Sequence, residues 1–255
     1  MLDTADKYSL YETLLLERDQ LTKEAGQTWT LYLKLFGELL NDNYKEKLEC
    51  IRCKKIISYY QSAVNRGRQV EPDALSAYLD KEMASYYANL RRMQKEQEEA
   101  KDAREVTAYE AQRSKVLYRW LARLIHPDIL PETDKSEVLK DLWVRILAAY
   151  HKNSVKELSE LDVLVRRALK DLGIPGGNAE IPEIDEKIEA LDKEIAEIRS
   201  TEPYTLGSLV EDEEAVEKKK KELAEELISY QKYRKELEEV ILKMMQDGGF
   251  RAYVE

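Results

Sequence analysis

Two imidazoles, two thiols and one compact basic cluster are the side chains here whose types and spacing could do chemistry. Cys50 and Cys53 stand two residues apart, the spacing of a redox pair or of half a metal site. A structural zinc needs four ligands, and no second pair accompanies them. Both thiols also fall on an apolar stripe, Cys50, Cys53, Ile57, Tyr60 and Val64, with helical spacing. They are therefore expected as buried free thiols holding no metal. His126 lies in the triplet His126-Pro127-Asp128, and His151 follows Tyr150 near a helix end, expected at the surface. Arg113, Lys115, Arg119 and Arg123 form the basic cluster, with no acidic residue from Arg113 to Pro127. The run Lys218 to Lys221 is interleaved with Glu213, Glu214, Glu217 and Glu222, so it reads as a solvated helix face rather than an anion site. No glycine-rich phosphate loop, His-Glu-x-x-His signature or nucleophile elbow is present. The residues point to a non-enzymatic protein with no cofactor.

The elements that would hold these residues are helices. Charged residues make up 36 % of the chain, while only 9 Gly and 6 Pro interrupt it, a profile of long helices with charged faces. The fold class expected is all-α. A first segment, 7–40, is apolar at Leu10, Leu14, Leu21, Trp29, Leu33, Phe36 and Leu40, with Gly26 and then Asn41-Asp42-Asn43 as breaks. The cysteine helix follows and stops at Asn65-Arg66-Gly67. Pro72 opens a third helix that runs into the apolar-poor stretch 95–105, where the main domain boundary is expected. Apolar periodicity returns at Arg113 and lasts to about Leu172. Gly173, Pro175, Gly176, Gly177 and Asn178 read as a linker. Beyond it Ile181, Ile184, Ile188, Leu191, Ile195 and Ile198 keep coiled-coil spacing. After Pro203 and Gly207, Val216, Leu223, Tyr230, Leu237 and Met244 recur at every seventh position.

These patterns divide the chain into an N-terminal helical region (1–106), a central helical hairpin (107–172), a linker (173–180) and a C-terminal antiparallel coiled-coil hairpin (181–255). The hairpin arms are unequal, roughly 25 and 50 Å at the helical rise. Tyr230, Leu237 and Met244 then need another cover, from the N-terminal helices or from a second copy in a homo-oligomer. With 16 Tyr against 2 Phe, many rings are expected at half-buried helix edges with the hydroxyl in water, Tyr59-Tyr60 and Tyr86-Tyr87 among them. Net charge is −10, so the protein as a whole is not built to coat nucleic acid or anionic lipid. No stretch reads as a membrane span, the N-terminus does not read as a signal peptide, and two cysteines form no disulfide framework, so a cytoplasmic protein is expected.

Tyr118-Arg119-Trp120-Leu121-Ala122-Arg123-Leu124-Ile125-His126-Pro127-Asp128 resembles the second helix and loop of J-domain proteins, the DnaJ co-chaperones. The family pattern Tyr-Arg-x-Leu-Ala, three residues, His-Pro-Asp is met position for position. Trp143, Ile146, Ala149 and Tyr150 match the third-helix pattern, with Trp where the family usually has Phe. The likeness covers about a fifth of the chain. It departs from the family in lacking the Asp-Tyr-Tyr and Leu-Gly opening of the first helix, a Gly/Phe-rich linker and Cys-x-x-Cys-x-Gly-x-Gly repeats. Pro127 disfavours helical geometry at His126, ending the helix near Ile125 and leaving His126 in an exposed loop. Pro131 prevents an early restart. Leu117, Leu121 and Leu124 share one face and Leu142, Ile146, Ala149 and Tyr150 another, so two antiparallel helices can zip together.

The resemblance implies a specialised co-chaperone that recruits or stimulates a DnaK-type ATPase for a dedicated, unidentified protein client. It implies His126, Pro127 and Asp128 as the contact loop, with Arg119 and Arg123, beside Arg113 and Lys115, as steering and contact charges. Two other readings stay open. One is a coiled-coil scaffold or adaptor in which the hairpin is only a packing module. The other is a nucleic-acid binder using the basic face, which salt-sensitive binding lost on changing Arg119 and Arg123 would favour.

Overall fold

Low breaker content is expressed as helix throughout. The computed structural model describes residues 4–174 and 183–247, and among these it contains α-helices, one 3-10 turn and no strand. The helices are α1 (Thr4–Asn65), α2 (Pro72–Asp102), α3 (Ala108–Ile125), α4 (Glu132–Lys135), α5 (Glu137–His151), α6 (Val155–Asp171), α7 (Ile184–Ser200), α8 (Gly207–Glu211) and α9 (Glu213–Asp247). Most of the expected linker, 175–180, and Ile181 lie outside the described residues. Among the described residues no helix is long and apolar enough to cross a membrane.

Neither Gly26 nor Asn41-Asp42-Asn43 interrupts α1, contrary to the sequence pattern. The asparagines find partners that do not unwind the helix. Asn43 donates from Nδ2 to the Leu39 and Leu223 carbonyls, and the Asn41 amide meets that of Gln97 at 2.5 Å. True stops look different. At the end of α1 the Gly67 and Arg68 N–H groups donate back to the carbonyls of Val64 and Ala63, with Gly67 left-handed at φ 61°. The chain uses the same closure after α5, with Asn153 in the left-handed position, and after α6, with Gly173. The stop at Asn153 separates α5 from α6, which the sequence ran together.

Compactness groups the chain into two units, residues up to Gln27 with Arg104–Thr205, and Thr28–Ala103 with Leu206 onward. One boundary between the units falls at Ala103–Arg104. The two arms drawn as one C-terminal hairpin, α7 and α9, belong to different units. Each finds its apolar partner on its own unit's stretch of α1.

In the first unit α3, α5 and α6 enclose a core with Leu121, Ala122, Ile125, Leu139, Ile146, Ala149, Leu158, Leu161 and Val165 all fully buried. Burying one such Leu or Ile side chain contributes about 1.5–3 kcal/mol. Leu16 of α1 joins this core, and Tyr11 and Leu15 pack with Ile129 and with Leu191 of α7. Ion pairs Lys7–Asp185 (2.5 Å) and Glu17–Arg199 (2.6 Å) show α7 running parallel to α1.

In the second unit α2 returns antiparallel to α1, with Lys55–Glu82 at 2.6 Å near the turn and Lys34 Nζ donating to the Ala103 carbonyl at the far end. Gly37 permits the close approach, since a Cβ there would meet Gln97 Cγ at 2.7 Å. The seven-residue stripe of α9 lies parallel to α1. Phe36 packs with Val216 and Leu223, and Cys50 and Cys53 pack with Leu237 and Tyr230. Cys50 Sγ donates to the Tyr230 carbonyl at 3.4 Å, and burial pushes both thiols up in pKa. Lys219, Lys220 and Lys221 pair with glutamates of their own helix, as a solvated face does.

Asn43 is buried within this seam, and its Oδ1 has no partner. Such a polar group fixes register at a cost in stability. Replacing Asn43 with Leu is expected to raise stability by about 1–2 kcal/mol, because an unsatisfied acceptor is exchanged for apolar burial. Urea denaturation of the two proteins checks this; a lower midpoint for Asn43→Leu would refute it.

Candidate docking site around the His-Pro-Asp loop

Pro127 restricts the residue before it, and His126 has ψ 130°, which ends α3 at Ile125. The Ile129 and Leu130 N–H groups both donate to the His126 carbonyl (2.9 and 2.8 Å), closing a tight turn anchored by those two buried side chains. Pro131 does not delay the next helix as expected. The single turn α4 starts at Glu132, because a missing N–H costs nothing at a helix start. After it α5 runs antiparallel to α3, with the Tyr118 and Tyr150 rings stacked at 3.9 Å and Trp143 against His126. Leu121, Leu142, Ile146, Ala149 and Tyr150 are buried between these helices and α6, while Leu117 and Leu124 are partly buried.

His126 is not exposed. Only 4 % of it is accessible, and its ring meets Trp143 edge-on with centroids 4.6 Å apart. Nδ1 accepts from the Asp128 N–H at 3.1 Å, leaving Nε2 to carry the proton, 3.8 Å from Asp19 Oδ2. Burial holds the imidazole below its ordinary pKa, against the opposing pull of Asp19 and Asp128. Trp143 of α5 covers the ring, and α1, which the sequence did not place here, brings Asp19 beside Nε2. Asp19 accepts from Tyr118 OH at 2.5 Å and from Arg18, and Tyr150 OH donates to Gln20 at 2.5 Å. Tyr118 and Tyr150 are thus fully buried with bonded hydroxyls, Tyr150 on the packed face where its spacing placed it. Burial raises both phenols, and Asp19 raises them further. Pro127 and Asp128 are half-buried. Together with Arg18, Asp19 and the exposed His151 they border an open cavity of about 390 Å³.

The basic residues separate. Arg113, Arg119 and Arg123 are exposed and Lys115 is half-buried. Arg123 is paired to Glu12 of α1. Among the described residues no carboxylate lies within 4 Å of Arg113, Lys115 or Arg119, so three of the four charges have no ion-pair partner there, and Arg113 and Arg119 face solvent. Among the described residues no cluster of His, Cys, Asp and Glu could hold a metal ion.

Lys23 is the least expected residue of the site. It is 4 % exposed, donates to Asn153 Oδ1 at 2.6 Å, lies 3.3 Å from Ser114 Oγ, and sits 3.7 Å from the centre of the Tyr150 ring. These contacts hold the left-handed Asn153 in place. Burial, then Lys115, lowers its pKa from 10.5 to about 8, although Glu24 opposes. Below pH 8 both folded and unfolded chains carry the proton, and the folded one bears the cost of a buried cation. Between about 8 and 10.5 only the unfolded chain remains protonated, so stability rises with pH. The rise is of order 3 kcal/mol at most, and above pH 10 the raised tyrosines reverse it. The urea midpoint of the parent is expected to climb relative to that of Lys23→Met from pH 7 to 10, since the raised thiols, which lower stability above pH 9, are common to both proteins. A difference that does not grow over this range would refute the assignment.

Asp19, Lys23 and Glu12 were missed because they belong to a helix far away in sequence; the one visible signal was polar residues at Arg18-Asp19 and Lys23 among the apolar positions of α1. No family model, no curated protein and no solved structure matches this chain.

Proposed function

We propose that this protein is a non-enzymatic, specialised J-domain-like co-chaperone, which recruits or stimulates a DnaK-type ATPase for a dedicated client. The observation that carries the reading is the His126-Pro127-Asp128 turn between antiparallel α3 and α5, with the unpaired charges of Arg119 and Lys115 about two and three turns back along α3. The partner it fits is an acidic protein surface reached by electrostatic steering. A second reading, a scaffold that keeps the hairpin for packing, is favoured by one observation, the burial of the His126 ring against Trp143. The deciding measurement is ATP hydrolysis by the DnaK-type chaperone of the same organism, titrated with the intact protein. A saturable rise is expected. A rate that does not change at any concentration would remove the co-chaperone reading and leave the scaffold.

A further inference from the structure

Joined by the turn at Asn153, α5 and α6 run antiparallel and leave an open hollow of about 590 Å³ between them. No residue of α3 or of the His-Pro-Asp loop borders it. Buried Leu142 and Ala168 form its floor. The walls carry two stripes of equal spacing, Val138, Asp141 and Arg145 on α5 and Leu164, Arg167 and Asp171 on α6. In each, the apolar residue is followed after three positions by one charge and after four more by the opposite charge, so each stripe keeps to one helix face. The order of charge is reversed between them, acid then base on α5, base then acid on α6. Val138 is 57 % exposed and Leu164 40 %, although both adjoin the apolar floor. Within the chain the charges are held loosely. Arg145 stands 3.8 Å from Asp141 and Arg167 stands 3.7 Å from Asp171, and such exposed pairs contribute little to stability. Asp171 also ends α6, where the helix dipole disfavours a carboxylate.

We propose that this face binds a second copy of the chain about a two-fold axis. An axis through the middle of the hollow lays α5 of one copy over α6 of the other. Because α5 and α6 are antiparallel within a copy, the helices paired in this way run parallel. Parallel helices with equally spaced stripes meet in order. Val138 packs on the partner's Leu164, Asp141 faces the partner's Arg167, and Arg145 faces the partner's Asp171. The same contacts recur on the other side of the axis, as an isologous interface requires. Covering Val138 and Leu164 supplies the apolar contact, and the charge pairs fix the register. A different protein would need both stripes with their charges in matching reverse order, whereas a second copy carries them already. The contact does not depend on the co-chaperone reading.

Analytical ultracentrifugation of the full-length protein tests the contact. The parent is expected to sediment with twice the mass of one chain at about 100 μM, a concentration suited to a small interface. Asp141→Arg and Arg167→Asp each set like charges face to face across the axis. Each variant alone is expected to raise the dissociation constant about a hundredfold and to sediment as a single chain. Both positions are exposed, so the helices keep their fold, which circular dichroism verifies. An equimolar mixture of the two variants is expected to recover the dimer, because the new arginine of one chain faces the new aspartate of the other. The pairs within each chain stay broken in that mixture, so only contact between chains restores the mass. A parent of single-chain mass overturns the proposal. So does a dimer that neither variant dissociates, or a mixture that stays monomeric once both variants have come apart.

Discussion

His126→Gln is expected to abolish ATPase stimulation and also to cost stability, by about 1–2 kcal/mol. An exposed loop residue would cost far less. The ring, however, accepts the Asp128 N–H through Nδ1 and rests on Trp143, and Gln can reproduce neither the flat contact nor the acceptor position. Loss of stimulation therefore needs a control that separates docking from folding. Arg119→Glu supplies it. Arg119 is exposed with no ion-pair partner among the described residues, so its reversal should leave stability within about 0.5 kcal/mol. It should weaken stimulation, and more so as salt is lowered, because a steering charge acts through a field that salt screens. Urea denaturation and ATPase titrations of the three proteins at two salt concentrations give both readouts. Stimulation by His126→Gln equal to the parent's would show that the ring plays no part in docking.

Trp143→Ala should have the largest effect on stability, a loss of about 3–5 kcal/mol. Trp143 is 8 % exposed and belongs to the same core as Tyr118, Leu121 and Ile146, so truncation leaves a cavity that the surrounding helices cannot fill. It also strips the wall from His126. Since burial is the main cause of that imidazole's lowered pKa, its titration should move up toward the ordinary histidine range. The linkage has a definite sign. A lowered histidine pKa means that the unfolded chain binds a proton more readily in mildly acidic solution, so His126 contributes a loss of stability as pH falls through the unfolded value near 6.5. Histidine NMR titration and denaturation at two pH values test both statements. An unmoved His126 titration in Trp143→Ala would show that Asp19 and Asp128, rather than Trp143, set its environment.

The helices and the turn at Pro127 were legible because each depends on neighbours in sequence. Proline acts on the residue before it, and apolar spacing of three and four marks the buried side of α3, α5 and α9. Cys50, Tyr230 and Leu237 were likewise placed on stripes before any partner was known. What each stripe would face was not legible. The seven-residue repeat of α9 fits an antiparallel neighbour as well as a parallel one, and apolar periodicity carries no direction. Pairing with α1 in the second unit chose the parallel arrangement, with buried Asn43 donating to the Leu223 carbonyl.

Sequence alone determined the all-α class, the end of α3 at the His-Pro-Asp triplet and the acid-free basic stretch beside it, since composition, backbone restriction and charge order are local properties. Tertiary structure decided the environment of every site residue. Only the packing of α1 brings Asp19 to Tyr118, Glu12 to Arg123 and Lys23 to Asn153, over separations of 99 to 130 residues. Burial and dielectric are properties of what surrounds a group in space. A histidine that its own neighbours place in an exposed loop is therefore buried against Trp143 of α5, beside Asp19 of a helix that begins more than a hundred residues earlier.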